Sequence, residues 1–549
     1  MDVVSACFRR SLPSLAIALG PAFLASLAGC AAGMDSSASS SRGEESSNDN
    51  GAGAPSMDAG TSSPGAGGNA DAPPPEQEVE GLFDTPAATG AVVWSANAIS
   101  GRVTAIVAAT LDRVTANAGN GPGNVVAIPG TVDTAAVLND LSNDATILRY
   151  ANRRVTTETV KTADTANAWA VSSTGVFALA WTNAAKLPGA VVTQGFQELD
   201  VIATTSPARA TRLSVGYRPF AIAFNAAGTQ AVVASRDGLT VIECLLTSTP
   251  RVVRHVPIAV ANRTATAAPF EASVTPDGHF AVVRVKGESS FDVLNLSDSS
   301  KRTFTVGGPI SDIDLSADGA TVYAVVARPT AASDAGAVTS AFYTVAVSAA
   351  AGTAPAKVDL PLADLASTSV SANGDMAVFY TNGIDLSRVV VMNLSGVPSF
   401  RTVELYAPVL AVFPAPNGDH ALALHKPLAV RQSSDPIGAF SLLPLKTELP
   451  SRIIATAGKV SAVATSPTSD RFVVLERSDD RAAYAMHVAE VPALTARRYE
   501  LASPPTAVGL VPSADRAFAS QVHPQGRISF VDLGTGLLHT LTGFELGAR

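Results

Sequence analysis

Six polar side chains in this chain keep a fixed distance from a turn. Asn183, Arg236, Lys286, Asn382 and Lys426 each stand eight residues after a glycine (Gly175, Gly228, Gly278, Gly374 and Gly418). Arg477 stands eight residues after Ser469 in a weaker copy, and Ala327 takes the place after Gly319, with Arg328 next to it. Cations and amides that recur at one place in a repeat converge wherever the repeats converge. Donors gathered in that way would attract a small anionic ligand or the acidic loop of a protein partner.

Other reactive groups lack the spacing their chemistry needs. There is no phosphate-loop pattern, no Gly-x-Ser-x-Gly elbow and no His-Glu-x-x-His. His420 and His425 are five apart, so on a strand they point to opposite faces and cannot share a metal. Asp312-Ile313-Asp314-Leu315-Ser316 begins like a calcium loop, but Ala317 stands where that loop needs Gly and Tyr323 where it needs Glu. Cys244 lies in the strand-like run Val241-Ile242-Glu243-Cys244-Leu245-Leu246 and reads as a buried, inert thiol. Three Trp and eight Tyr in 549 residues are too sparse for a stacking platform, and Trp94, Trp169 and Trp181 read as packing residues. The expectation is therefore no catalytic motif, no metal, no cofactor and no nucleic-acid partner.

The elements that must carry the six positions are short strands. From about residue 85, apolar runs of Val, Ala, Ile and Leu alternate with turns, without a long 3.6-residue period. The clearest copies are Ser273-Val274-Thr275-Pro276-Asp277-Gly278-His279-Phe280-Ala281-Val282-Val283 and Asp314-Leu315-Ser316-Ala317-Asp318-Gly319-Ala320-Thr321-Val322-Tyr323-Ala324. Others turn at Gly175, Gly228, Gly374 and Gly418, with weaker copies near Gly130, Ser469-Asp470 and Ala514-Asp515. Each reads as strand, tight turn, strand, and the polar residue eight positions on falls at the end of the second strand. The strong copies recur every 41 to 55 residues, room for about four strands each. Third and fourth strands are visible at Leu239–Ile242 with Val252–Val256, and at Phe291–Leu294 with Arg302–Val306.

Four-stranded units at this period describe the blades of a β-propeller, an all-β ring in which each blade is covered by its neighbours. The same residues resemble the YVTN/WD40-like repeats of bacterial surface propellers. Val92-Val93-Trp94-Ser95-Ala96-Asn97, followed by Gly101-Arg102-Val103-Thr104-Ala105-Ile106, is similar to that family's opening strands, and Gly119-Asn120-Gly121-Pro122 continues the likeness. The resemblance covers about residues 85–549, within a propeller domain taken as 81–549, and implies a single ring, with eight blades favoured and seven to nine allowed. A β-solenoid would need a shorter repeat.

The N-terminus differs in texture. Arg9 and Arg10 precede a mostly apolar run, residues 15–27, which is shorter than the roughly 20 residues of a membrane span. Such a run, ending in small residues, describes a secretory leader. Its ending, Leu27-Ala28-Gly29-Cys30, resembles the lipobox of bacterial lipoproteins. That resemblance implies removal of residues 1–29, acylation of Cys30 and a place in the bacterial cell envelope. Ala31 rather than Asp after the Cys implies the outer membrane. Multiple acyl chains on one residue give a stable hold where one chain would not. With Cys7 removed and Cys30 acylated, Cys244 is left without a disulfide partner.

Residues 30–80 read as a disordered tether of Ser, Gly, Ala, Asp, Glu and Pro. Residues 31–80 hold nine acids and one base, so the acidic balance of the whole chain (−9) belongs largely to them. The body that follows is close to neutral, which gives no basic footprint for nucleic acid. Together these features describe a lipid-anchored propeller acting as a ligand- or protein-binding scaffold. A lactonase-like propeller hydrolase and a structural envelope protein are the alternatives that the same scaffold permits.

Overall fold

Val, Ala, Leu and Phe fill the second and third strands of every repeat, and both faces of those strands are buried. In Val92–Asn97 every residue is buried, and Phe472, Val473, Val474, Leu475 and Glu476 are all buried in Arg471–Ser478. Buried on both faces, such a strand needs no hydrophobic-polar alternation. The fourth strands do alternate, as in Arg154–Lys161, because one face meets water. These properties come from a computed structural model that describes residues 82–187, 195–259, 268–328, 339–396, 398–428, 432 and 435–545. The expected leader (1–29), the expected lipidation site Cys30 and the expected tether (30–80) lie outside the described residues.

The described strands form ten four-stranded antiparallel sheets, each made of four consecutive strands. We number them as blades 1 to 10: residues 87–117, 122–161, 168–214, 221–257, 270–305, 312–359, 367–404, 409–456, 459–500 and 505–542. Side chains from one sheet alternate between two neighbours. Val92, Trp94 and Ala96 pack against blade 2, whereas Val93 packs against blade 10. Ala135 and Val137 face blade 1, whereas Ala136 and Leu138 face blade 3. Ten apolar cores thus lie between successive blades, and the tenth joins blade 10 to blade 1. Burying one Val, Leu or Phe there contributes about 1.5–3 kcal/mol, so no blade stands without its neighbours.

The ring therefore has ten blades, not the eight favoured from the sequence. Blade 1 is the unit missed in counting turns. Its first strand is only Ala87–Ala88, and its turn lacks the five-residue motif. Blade 2 is irregular, with a register shift between Gly123 and Val126. Asp312–Leu315 is a strand, so the calcium-like run is not a loop.

The ring closes without exchanging a strand. All four strands of blade 1 come from the N-terminal side and all four of blade 10 from the C-terminal side. The seam is held by side chains instead. Phe544 and Phe83 meet edge to face with centroids 5.1 Å apart. The Asn97 amide donates to Glu545 Oε2 at 2.6 Å, Arg102 lies 3.9 Å from Glu545 Oε1, and Arg516 donates to the Ala108 carbonyl at 2.5 Å.

The two rims differ. On one, the turns between first and second strands touch from blade to blade. Ala226 N–H donates to Pro276 O (2.7 Å), Asn373 Nδ2 to Asn417 O (2.7 Å), and Asn417 N–H to Ser469 Oγ (3.0 Å). Gly175 shows why the motif needs glycine: its φ is +69°, and a Cβ would sit 1.7 Å from Pro129 O of the preceding blade. The other rim carries the connections between second and third strands and between blades. Among the described residues no helix is long and apolar enough to cross a membrane.

Candidate functional site

The second rim is where the long connections emerge. Three join second to third strands, between Trp181 and Glu198, between Val326 and Ala341, and between His425 and Gly438. A fourth links blades 4 and 5, between Pro257 and Phe270. On the opposite rim, seven of the ten turns between first and second strands are five residues long and bonded or packed to the next. Binding residues concentrate on loops held by a rigid scaffold, which makes the long-loop rim the candidate site.

All six sequence-derived positions fall on this rim, at the ends of second strands. Arg236 follows Gln230–Ser235, Lys286 follows Phe280–Val285, and Lys426 follows His420–His425. Arg477 is the seventh residue of Arg471–Ser478. Asn183 and Asn382 come two residues after Phe177–Trp181 and Met376–Tyr380. Their surroundings diverge. Lys426 Nζ donates to Asp385 Oδ1 (2.8 Å) and to the Ile384 carbonyl (2.9 Å). Arg477 makes a bidentate bond to Asp479, and Arg328 pairs with Asp364. Asn183 caps the short turn Ala184–Lys186 by accepting from Ala185 N–H at 3.1 Å. Lys286 and Asn382 are exposed, and Lys286 has no ion pair among the described residues. Arg236 is buried. Burial, and then the neighbouring Arg218, lower its pKa.

Beneath the rim lies a layer of buried polar groups that the repeat pattern does not announce. In blade 9, Glu476 has no exposed surface. Its Oε2 lies 2.7 Å from His487 Nε2 and 3.4 Å from Arg498 Nε, and its Oε1 accepts from Ala457 N–H at 3.1 Å. Burial pushes its carboxyl up, but the bonds from His487 and Arg498 outweigh this and hold it below the ordinary 4.5. In blade 8, His425 lies between the Ala407 carbonyl (Nδ1, 2.9 Å) and Ser441 Oγ (Nε2, 2.7 Å). His425 is buried, and burial lowers its pKa from 6.5. In blade 5, Arg284 donates to Ile310 O (2.8 Å) and to Glu271 (2.5 Å). Glu476 and His425 tie a second strand to the segment entering their own blade, and Arg284 ties one to the segment entering the next blade, which is a positioning role for the loops above.

Cys244 is buried, and burial pushes its thiol up to about 12, far from thiolate reactivity. Among the described residues no three His, Cys, Asp or Glu side chains form a metal-holding group. The rim combines ion-paired cations with the exposed Lys286 and Asn382.

No protein-family model and no curated protein sequence matches this chain. Among solved structures it is similar to three proteins at 12–13% identity. One is a eukaryotic initiation factor (TM-score 0.43, covering 69% of this chain and 88% of that one). Another is the dihydro-heme d1 dehydrogenase NirN in complex with DHE (TM-score 0.41, 68% and 75%). The third is Sqt1 from Chaetomium thermophilum (TM-score 0.39, 64% and 91%). The assignment of this chain to the β-propeller architecture rests on its own ten sheets and the ten cores between them.

Proposed function

We propose that this chain is a lipid-anchored binding scaffold of the bacterial cell envelope, held at the outer membrane through an acylated Cys30. In this reading residues 1–29 are the cleaved leader and 30–80 the tether. The body presents its long-loop rim to a protein partner or a small anionic ligand. The observation that carries the binding role is the asymmetry of the rims. On one, the turns between first and second strands are short and touch each other; on the other, four long connections join strand ends. Lys286, Asn382 and the ion-paired Lys426 and Arg477 stand at strand ends on that same rim. An acidic partner would exchange its own carboxylates for Asp385 and Asp479, an exchange that favours electrostatic steering over tight binding.

Photocrosslinkers placed on either rim in the native envelope test this. Adducts are expected from positions 286 and 384, and none from positions 277 and 318 on the short-turn rim. Adducts from the short-turn rim alone would refute the assignment. Cys30→Ala is expected to release the protein from the membrane fraction.

A further inference from the structure

Four aliphatic side chains stand well out of the long-loop rim at the seam: Val522 (52% exposed) from blade 10, Leu82 (63%) and Ile99 (56%) from blade 1, and Leu141 (78%) from blade 2. Their loops form one continuous ridge. Ala98 N–H donates to Leu82 O (2.9 Å), Ala118 N–H to Gly101 O (2.9 Å), and Leu141 N–H to Asn120 O (3.1 Å). On the other side, a Cβ on Gly526, in the loop that begins at Val522, would meet Phe544 and Phe83. Branched aliphatic residues at successive loop tips cost solubility without packing anything inside the ring.

The described chain starts inside this ridge, at Leu82. Everything N-terminal to it leads back to Cys30 through about 50 residues. Residues 31–80 have almost no large apolar side chains to offer an aliphatic ridge. A lipid surface that held an acylated Cys30 would cover the ridge, because linkage through the chain would keep that surface at high local concentration.

We infer that the ridge of Leu82, Ile99, Leu141 and Val522 docks on the lipid surface to which the chain is tethered. This deepens the anchoring reading and rests on it for the identity of the surface. Docking tips the long-loop rim toward the membrane, so the partner bound there lies at the membrane surface. Contact through aliphatic tips is apolar and survives high salt.

The test uses the chain from residue 30 onward with Cys30→Ser, which has no acyl group and keeps all ten cores. It is floated with phosphatidylethanolamine–phosphatidylcholine vesicles in low salt and in about 1 M salt. It is expected to float in both. Replacing all four tips with Ser is expected to lower the partition about tenfold or more while leaving the melting transition in place. A polarity-sensitive dye on Ile99→Cys is expected to shift to the blue on vesicles, and one on Val132→Cys, at the opposite rim, is not. A parent that stays in the aqueous phase, a four-Ser variant that floats equally well, or a blue shift at position 132 but not at 99 overturns the docking. Mass analysis of the native N-terminus separately decides acylation, so failure of the anchor and failure of the ridge are told apart.

Discussion

Gly175→Ala and Gly287→Ala separate two reasons for a glycine. Both residues have positive φ, +69° and +90°. Either substitution forces an L-residue into that region, at a cost of about 1–2 kcal/mol. The surroundings then differ. At position 175 the new methyl would lie 1.7 Å from Pro129 O and 2.8 Å from Pro129 C, both backbone atoms of blade 2. At position 287 nothing lies within 4 Å. The backbone clash must push the two turns apart, adding about 1–3 kcal/mol as overpacking does elsewhere. Gly175→Ala should therefore lose about 2–5 kcal/mol in total. Urea unfolding midpoints of the two variants give the difference, and amide exchange locates it. For Gly175→Ala, protection should fall at the interface of blades 2 and 3, among residues such as Ala136 and Ile147. Equal loss in the two variants would refute the view that the short-turn rim is a chain of close turn-to-turn contacts.

Phe544→Ala removes a ring that is 1% exposed and packs on Phe83, and should cost about 3–5 kcal/mol. Exchange should rise first in blades 1 and 10, and a uniform rise would contradict a closing role for Phe544. For His425, burial places the folded pKa below its ordinary 6.5, so between the two values the unfolded chain binds more protons. The stability contribution is full above about pH 6.5 and is lost as pH falls through the lowered folded value. Urea midpoints should drop on acidification, and His425→Asn should flatten that drop. An unchanged slope would mean that another group, such as His420, carries it.

The strand–turn–strand motif was legible because its chemistry is local: a positive-φ glycine and an Asp or Asn that bonds its own turn, as Asp277 does to His279 N–H at 2.9 Å. The ends of the second strands followed by counting, and the six polar positions lie there. Their partners did not follow. Asp385 reaches Lys426 from blade 7, 41 residues earlier in the chain, and Asp364 reaches Arg328 from the linker before blade 7. Burial was equally hidden. Glu476 looks like a surface charge until Ala457, from the segment entering blade 9, closes over it. One signal was available: Glu476 follows four apolar residues of its strand, all four of them buried. The blade count failed because a two-residue inner strand has no pattern to read.

The seam that unites Phe83, Asn97, Phe544 and Glu545 makes blade 1 and blade 10 neighbours through side chains alone. A ring stapled by exchanging a strand has a privileged blade and a fixed place to begin. This ring has neither. Its termini could be joined and reopened in any linker between blades on the same rim. A whole unit could also be gained or lost away from the seam without disturbing the junction. The molecule is a circle whose starting point is a matter of covalent connection rather than of architecture.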